Sequence, residues 1–198
     1  MTDRVVNPDF HAAACAVQDL LEALGFAACA GDPLPAGLVE TPERVARALV
    51  EMTEGYHLDP AAILGVTFEA EYDQIVALAR IPFVSTCEHH LLPFIGYAGV
   101  AYLPQGRVVG LSKLARLVDV YAKRLQLQER MTQQIAVAMM DHLNPRGALV
   151  LVEAEHSCMA CRGVKKPGAV MRTSAVRGTF LTDPTAKDEA MRLLQEKV

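Results

Sequence analysis

The chain has 198 residues, 52% of them hydrophobic, with no tryptophan and a formal net charge of −4. That length suits one domain with a helical appendage, and so apolar a chain can bury a real core. The acidic balance excludes a nucleic-acid binder that works by bulk positive charge, while leaving room for a local basic cluster that meets a small anion. Five cysteines, an odd count without framework spacing, suit a reducing compartment, where they serve as metal ligands or buried thiols. The opening Met1-Thr2-Asp3-Arg4 lacks the basic-then-apolar pattern of a secretory leader, and no apolar run reaches membrane-spanning length. The expectation is a cytoplasmic protein with no membrane and no nucleic acid among its partners.

Residues from about Pro8 to Leu24 predict an amphipathic helix with Ala14, Val17, Leu20, Leu21 and Leu24 on its buried face and Gly25 as its stop. Cys15 and Cys29 lie in alanine-rich surroundings and read as packing residues. Gly31 to Gly37, with Pro33 and Pro35, is a loop. Thr41-Pro42-Glu43-Arg44 predicts a helix start with Thr41 as N-cap, and Val45, Leu49 and Met52 give its buried stripe. Arg44 and Arg47 share a face of that helix, which periodicity alone reads as a solvated basic edge. Asp59-Pro60 caps a short helix ending at Gly65. Val66 to Ala70 and Gln74 to Phe83 read as extended, and Phe94 to Leu103 alternates as a strand. Pro104-Gln105-Gly106-Arg107 is a turn signal, so Val108-Val109 is expected to close a hairpin.

Two helices follow. Ser112 to Leu125, capped by Ser112, buries Leu114, Leu117, Val118, Tyr121 and Leu125; Gln128 to Leu143 buries Met131, Ile135, Ala138 and Met139. Ala148 to Ala154 is a continuous apolar strand, Val170 to Leu181 contains the last strand, and Pro184 to Lys197 is the last helix. This order predicts an α+β fold, an antiparallel sheet with helices on one face. Residues 1–65 are expected to form an N-terminal helical region and 66–198 the α+β domain.

The chemistry concentrates in Ser85-Thr-Cys-Glu-His-His-Leu-Leu-Pro-Phe94. Cys87-x-x-His90 lets a thiolate and an imidazole reach one ion from a single turn, and Glu155-His156-Ser157-Cys158-Met159-Ala160-Cys161 offers a partner far downstream. A lone cysteine is most often a small buried hydrophobe, and a lone histidine more often a hydrogen-bonded residue than a ligand. Two such segments together favour metal. Cys87, His90 and Cys158 would leave a fourth position open for water, as in catalytic zinc sites; adding Cys161 would close a structural one, and spacing alone allows both. An open zinc site yields a nucleophilic hydroxide near neutral pH, and His89 and His156 remain for proton transfer. Lys113, Arg116, Arg162, Lys165 and Lys166, with Arg44 and Arg47, are solvated surface charges unless the fold gathers them, in which case they suit a phosphorylated substrate. Glu129 could accept from adjacent N–H groups of a base such as guanine, or simply favour its helix N-terminus.

Four segments in register then carry a family resemblance: Cys87-Glu-His-His-Leu-Leu-Pro-Phe94, Gly110-Leu-Ser-Lys-Leu-Ala-Arg116, Gln126-Leu-Gln-Glu-Arg-Met-Thr-Gln-Gln134 and His156-Ser-Cys-Met-Ala-Cys-Arg-Gly163. From about Glu40 to Phe180 the chain resembles GTP cyclohydrolase I. The resemblance implies a tunnelling fold and a toroidal homodecamer of two pentamers. It implies conversion of GTP and water to 7,8-dihydroneopterin triphosphate and formate, the opening stage of folate or tetrahydrobiopterin synthesis. It further implies zinc on Cys87, His90 and Cys158, with its water adding to C8 of guanine. His89 and His156 would move protons, Glu129 would anchor the guanine edge with Gln128 beside it, and Ser112 would lie near the ribose. Lys113, Arg116 and Arg162 would hold the triphosphate, joined by Arg44 and Arg47 from a neighbouring subunit. Cys161 would be a bystander. Three departures from the family pattern stand at Tyr97, Gly99 and Val170-Met171-Arg172.

Overall fold

The computed structural model describes residues 7–27 and 32–196. It divides into two compact units, Met1–Glu54 and Gly55–Val198. In the first, α1 (Phe10–Ala23) packs against α2 (Thr41–Met52). Asp9 caps α1 by accepting from the Ala12 N–H. The expected buried face of α1 is only partly realised: Ala14 is buried, whereas Leu20 and Leu24 are 56% and 64% exposed. Periodicity tells which residues share a face, not what covers it. Helix α2 is capped by Glu40 rather than Thr41, with Pro42 in its first turn. The packing role expected of Cys29, the start of the Gly31 loop and the end of the last helix at Lys197 lie outside the described residues.

The second unit begins with a single tight turn (Glu54–His57) and α3 (Pro60–Leu64), where Asp59 caps by accepting from Ala61 N–H as expected. Leu64 at the end of α3 is wholly buried in the main core, so α3 folds with the sheet that follows it. Then come β1 (Thr67–Glu69), β2 (Val76–Cys87), β3 (Pro93–Leu103), β4 (Arg107–Val109), α4 (Leu111–Ala122), β5 (Leu125–Gln126) and α5 (Gln128–Leu143). The chain closes with β6 (Gly147–His156), α6 (Ser157–Ala160), β7 (Val170–Gly178), α7 (Thr179–Thr182) and α8 (Pro184–Gln195). Five strands form one sheet in the order β5-β2-β3-β6-β7, antiparallel except for the short β2–β5 pair. β4 does not close a hairpin with β3; it pairs with β1 in a separate two-stranded sheet. The hairpin lies one strand earlier, between β2 and β3, and the metal-candidate loop is its turn.

Helices cover both faces of the sheet, not one. Alternating side chains of β3 and β6 split the core: Ala98, Val100, Tyr102, Val150 and Val152 pack with α4 and α5, whereas Ala101, Leu149 and Leu151 pack with Phe180, Ala190 and Leu194 of α7 and α8. β3 and β6 approach closely at Gly96, where a Cβ would lie 1.9 Å from the Glu153 carbonyl oxygen. Helix α4 starts one residue before Ser112, which sits in its first turn while Gly110 is the N-cap. It also ends at Ala122, so Leu125 belongs to β5 and is half-buried. No helix among the described residues is long and apolar enough to cross a membrane.

Candidate active site and metal centre

β2 carries Cys87 to its last position, 6% exposed and part of the main core. The chain then turns within four residues. Leu91 N–H donates to the Cys87 carbonyl at 2.9 Å, Cys87 N–H donates to the Leu92 carbonyl at 2.9 Å, and Leu91 takes a left-handed φ of 54° to close the loop. This turn brings His90 Nδ1 to 3.6 Å from Cys87 Sγ. Two strands away from β2, across β3, β6 ends at His156 and delivers Cys158 on α6. One ligand atom each from Cys87, His90 and Cys158 lies within 4.8 Å of the others.

The donor set fits a borderline-soft dication such as zinc: two thiols and one imidazole nitrogen from segments about seventy residues apart. The electrostatics agree. Burial pushes the Cys158 thiol up, the neighbouring Cys87 adds to this, and Arg162 opposes it. Two thiolates that repel each other here would be reconciled by a cation between them. Cys161, the fourth ligand of the closed alternative, is absent from the cluster; its thiol turns back to the Ser157 carbonyl at 2.9 Å. The Arg162 guanidinium rests against His90 Nε2. Arginine only donates, and ligation through Nδ1 leaves Nε2 protonated, so metal binding requires Arg162 to turn away.

The loop is held from behind. Arg130 of α5 pairs with Glu88, donates through Nε to Gln126 Oε1 at 3.0 Å, and reaches the Leu125 carbonyl at 2.9 Å. Glu88 N–H donates to the Gln126 carbonyl at 3.1 Å. These bonds tie the residue after Cys87 to β5 and α5.

His156 is the last residue of β6, two before Cys158. Its ring stacks on Phe94, centroids 4.6 Å apart and 4° between planes. Its Nε2 lies 2.9 Å from Gln128 Oε1. Burial pulls its pKa below the ordinary histidine value, and Glu129 pulls the other way, which places that exposed carboxylate within electrostatic reach. Gln128 is 1% exposed, and its amide nitrogen sits 3.1 Å from the Val152 carbonyl, the Met171 carbonyl and Thr173 Oγ1. Its side chain is therefore engaged with β6, β7 and His156.

His89 is exposed, its ring 6.1 Å from that of His90. Ser112, Lys113 and Arg116 occupy the first half of α4, and no hydrogen bond or ion pair among the described residues joins them to the cluster. Lys165 and Lys166 are exposed in the loop after α6. Arg44 and Arg47 lie on α2 in the first unit, where Arg44 pairs with Glu40 in solvent. Sequence reasoning passed over Phe94, Arg130, Thr132 and Thr173, which position the others. The i,i+4 spacings Gln126–Arg130 and Gln128–Thr132 were visible, but helix spacing alone does not separate such pairs from surface ones.

A family model described as GTP cyclohydrolase I matches residues 13–195. A protein named GTP cyclohydrolase 1 from Mycolicibacterium paratuberculosis is 54% identical over 198 residues, 99% of this chain and 95% of that one. One from Mycobacterium ulcerans is 54% identical over 187 residues, 93% and 90% of the two chains. One from Mycolicibacterium gilvum is 52% identical over 197 residues, 98% and 95%. With a match of this extent and a thiol–imidazole cluster in the fold, the chain belongs to the GTP cyclohydrolase I family.

Proposed function

We propose that the protein is a zinc-dependent GTP cyclohydrolase I. It converts GTP and water to 7,8-dihydroneopterin triphosphate and formate, at the head of a folate-type or tetrahydrobiopterin-type pterin pathway. The observation that carries this reading is the convergence of Cys87, His90 and Cys158 within 4.8 Å, with Cys161 turned away. Cys87, His90 and Cys158 would hold the zinc ion, which would act there as a Lewis acid and lower the pKa of a water toward neutrality.

The remaining roles belong to side chains. His156, stacked on Phe94, and His89, exposed with its ring near that of His90, accept and return the protons that imidazole opening and formate release require. Glu129 accepts from the adjacent N–H groups of the guanine edge, which fixes the base. Ser112 contacts the ribose. Arg162, once released from His90, joins Lys113 and Arg116 on the triphosphate, and Arg44 and Arg47 add charge from a neighbouring subunit. The fold is the tunnelling fold. The assembly is a homodecamer of two pentamers, with sites shared between subunits in the cytoplasm.

The test is to incubate metal-replete protein with GTP and follow formate and dihydropterin together. Equal amounts of both support the full reaction. Formate without pterin would limit the protein to ring opening, and neither product with zinc bound would overturn the reading.

A further inference from the structure

The buried amide behind His156 has only one consistent arrangement of protons. Gln128 Nε2 faces two backbone carbonyls, those of Val152 and Met171, which can only accept. Turning the amide over would set its oxygen against both of them with no hydrogen between, at a fully buried position. The third neighbour, Thr173, agrees. Thr132 Oγ1 spends its single proton on the Gln128 carbonyl at 2.7 Å, so in the 2.7 Å contact between the two threonines Thr173 donates. Thr173 Oγ1 is then left to accept from Gln128 Nε2 at 3.1 Å. The nitrogen end is fixed, so Oε1 must face His156, and at 2.9 Å it can only accept from the ring.

The geometry points to Gln128 as a positioning residue that holds His156 as the Nε2–H tautomer, leaving Nδ1 as the one ring nitrogen that exchanges protons. Phe94 fixes the plane of the ring and Gln128 fixes its rotation within that plane. Thr132 and Thr173 act at one remove, by fixing the amide. The kinetic consequence of this assignment rests on the cyclohydrolase reading above.

Nitrogen-15 NMR of the full-length assembled protein, labelled at histidine, tests it directly. The His156 resonances are assigned by their loss in His156→Gln, and spectra are taken well above the pH at which imidazoles titrate. The wild type should show Nε2 protonated and Nδ1 bare; the reverse pattern overturns the assignment, and this arm needs neither substrate nor a buried substitution. In Gln128→Leu the same resonances should shift toward a mixture of tautomers, and an unchanged spectrum from that variant, if folded, also overturns it. With GTP as the probe, Gln128→Leu should lower kcat by about 10- to 100-fold, by analogy with the scale found for hydrogen-bond partners of metal-ligating histidines, while KM stays within about twofold. A raised KM with kcat unchanged would make Gln128 a substrate contact and overturn the positioning role. If the wild type turns over no GTP, the cyclohydrolase reading fails while the spectra still decide the tautomer.

Discussion

Around Cys87 three ligand-type atoms face one another across a few ångströms, whereas around Gln128 each side-chain polar atom is bonded to a fixed partner. The first region is a hairpin turn and a four-residue helix carrying two thiols and an exposed imidazole. One of its contacts, Arg162 on His90, has to break before a metal can bind through Nδ1. The second region sits on the ends of β6, β7 and α5, where backbone carbonyls of regular strands fix one amide. A binding site needs its ligands free to accept something from outside; a proton-transfer residue needs its orientation decided in advance. The two demands are met on opposite sides of His156, which joins the finished network to the unfinished cluster.

The sharpest way to break the comparison is to remove a ligand from the unfinished side. Cys158→Ser should retain no zinc after dialysis against a chelator, while Cys161→Ser, whose thiol bonds only to Ser157, should retain as much as the wild type by elemental analysis. Zinc lost from Cys161→Ser and kept by Cys158→Ser would defeat the assignment. Glu129→Ala comes next: kcat/KM for GTP should fall about 10- to 100-fold, the worth of one or two charge-assisted hydrogen bonds, with little change in thermal unfolding because the residue is exposed. Unchanged turnover would remove Glu129 from the base.

On the finished side, Thr132→Val strands the Thr173 hydroxyl without its acceptor. It should cost about 1–3 kcal/mol in urea unfolding, the price of one buried unsatisfied group. The smallest effect is one of pH. Burial lowers the His156 pKa from 6.5, so below that value the unfolded chain binds a proton that the folded chain refuses. Metal-free protein should therefore lose stability as pH falls below 6.5, down to the lowered pKa of the folded state, and His156→Gln should flatten that slope. An equal slope in both proteins would show that His156 is not the group responsible.

Much of this was legible in the residues, for reasons that differ by element. Helix α5 and the burial of Met131, Ile135 and Met139 followed from apolar periodicity. The ligand cluster followed from donor chemistry at short spacing. The covering of both sheet faces was present as a signal and underused: Ala148 to Ala154 has no polar alternation, as expected of a strand packed on each side. The pairing of β4 with β1 was not legible, because a turn signal marks where the chain bends and not which strand it meets. The role of Gln128 was hidden for the same reason, since its partners lie on β6 and β7, 24 and 43–45 residues away.

The claim on which the rest depends is that the cluster holds zinc through three protein ligands and keeps a position open. X-ray absorption at the zinc edge of the purified protein measures this directly. The account predicts one zinc per chain bound by two sulfurs, one imidazole nitrogen and one further light atom from solvent. Three sulfurs and one nitrogen would mean that Cys161 closes the site, and would contradict it.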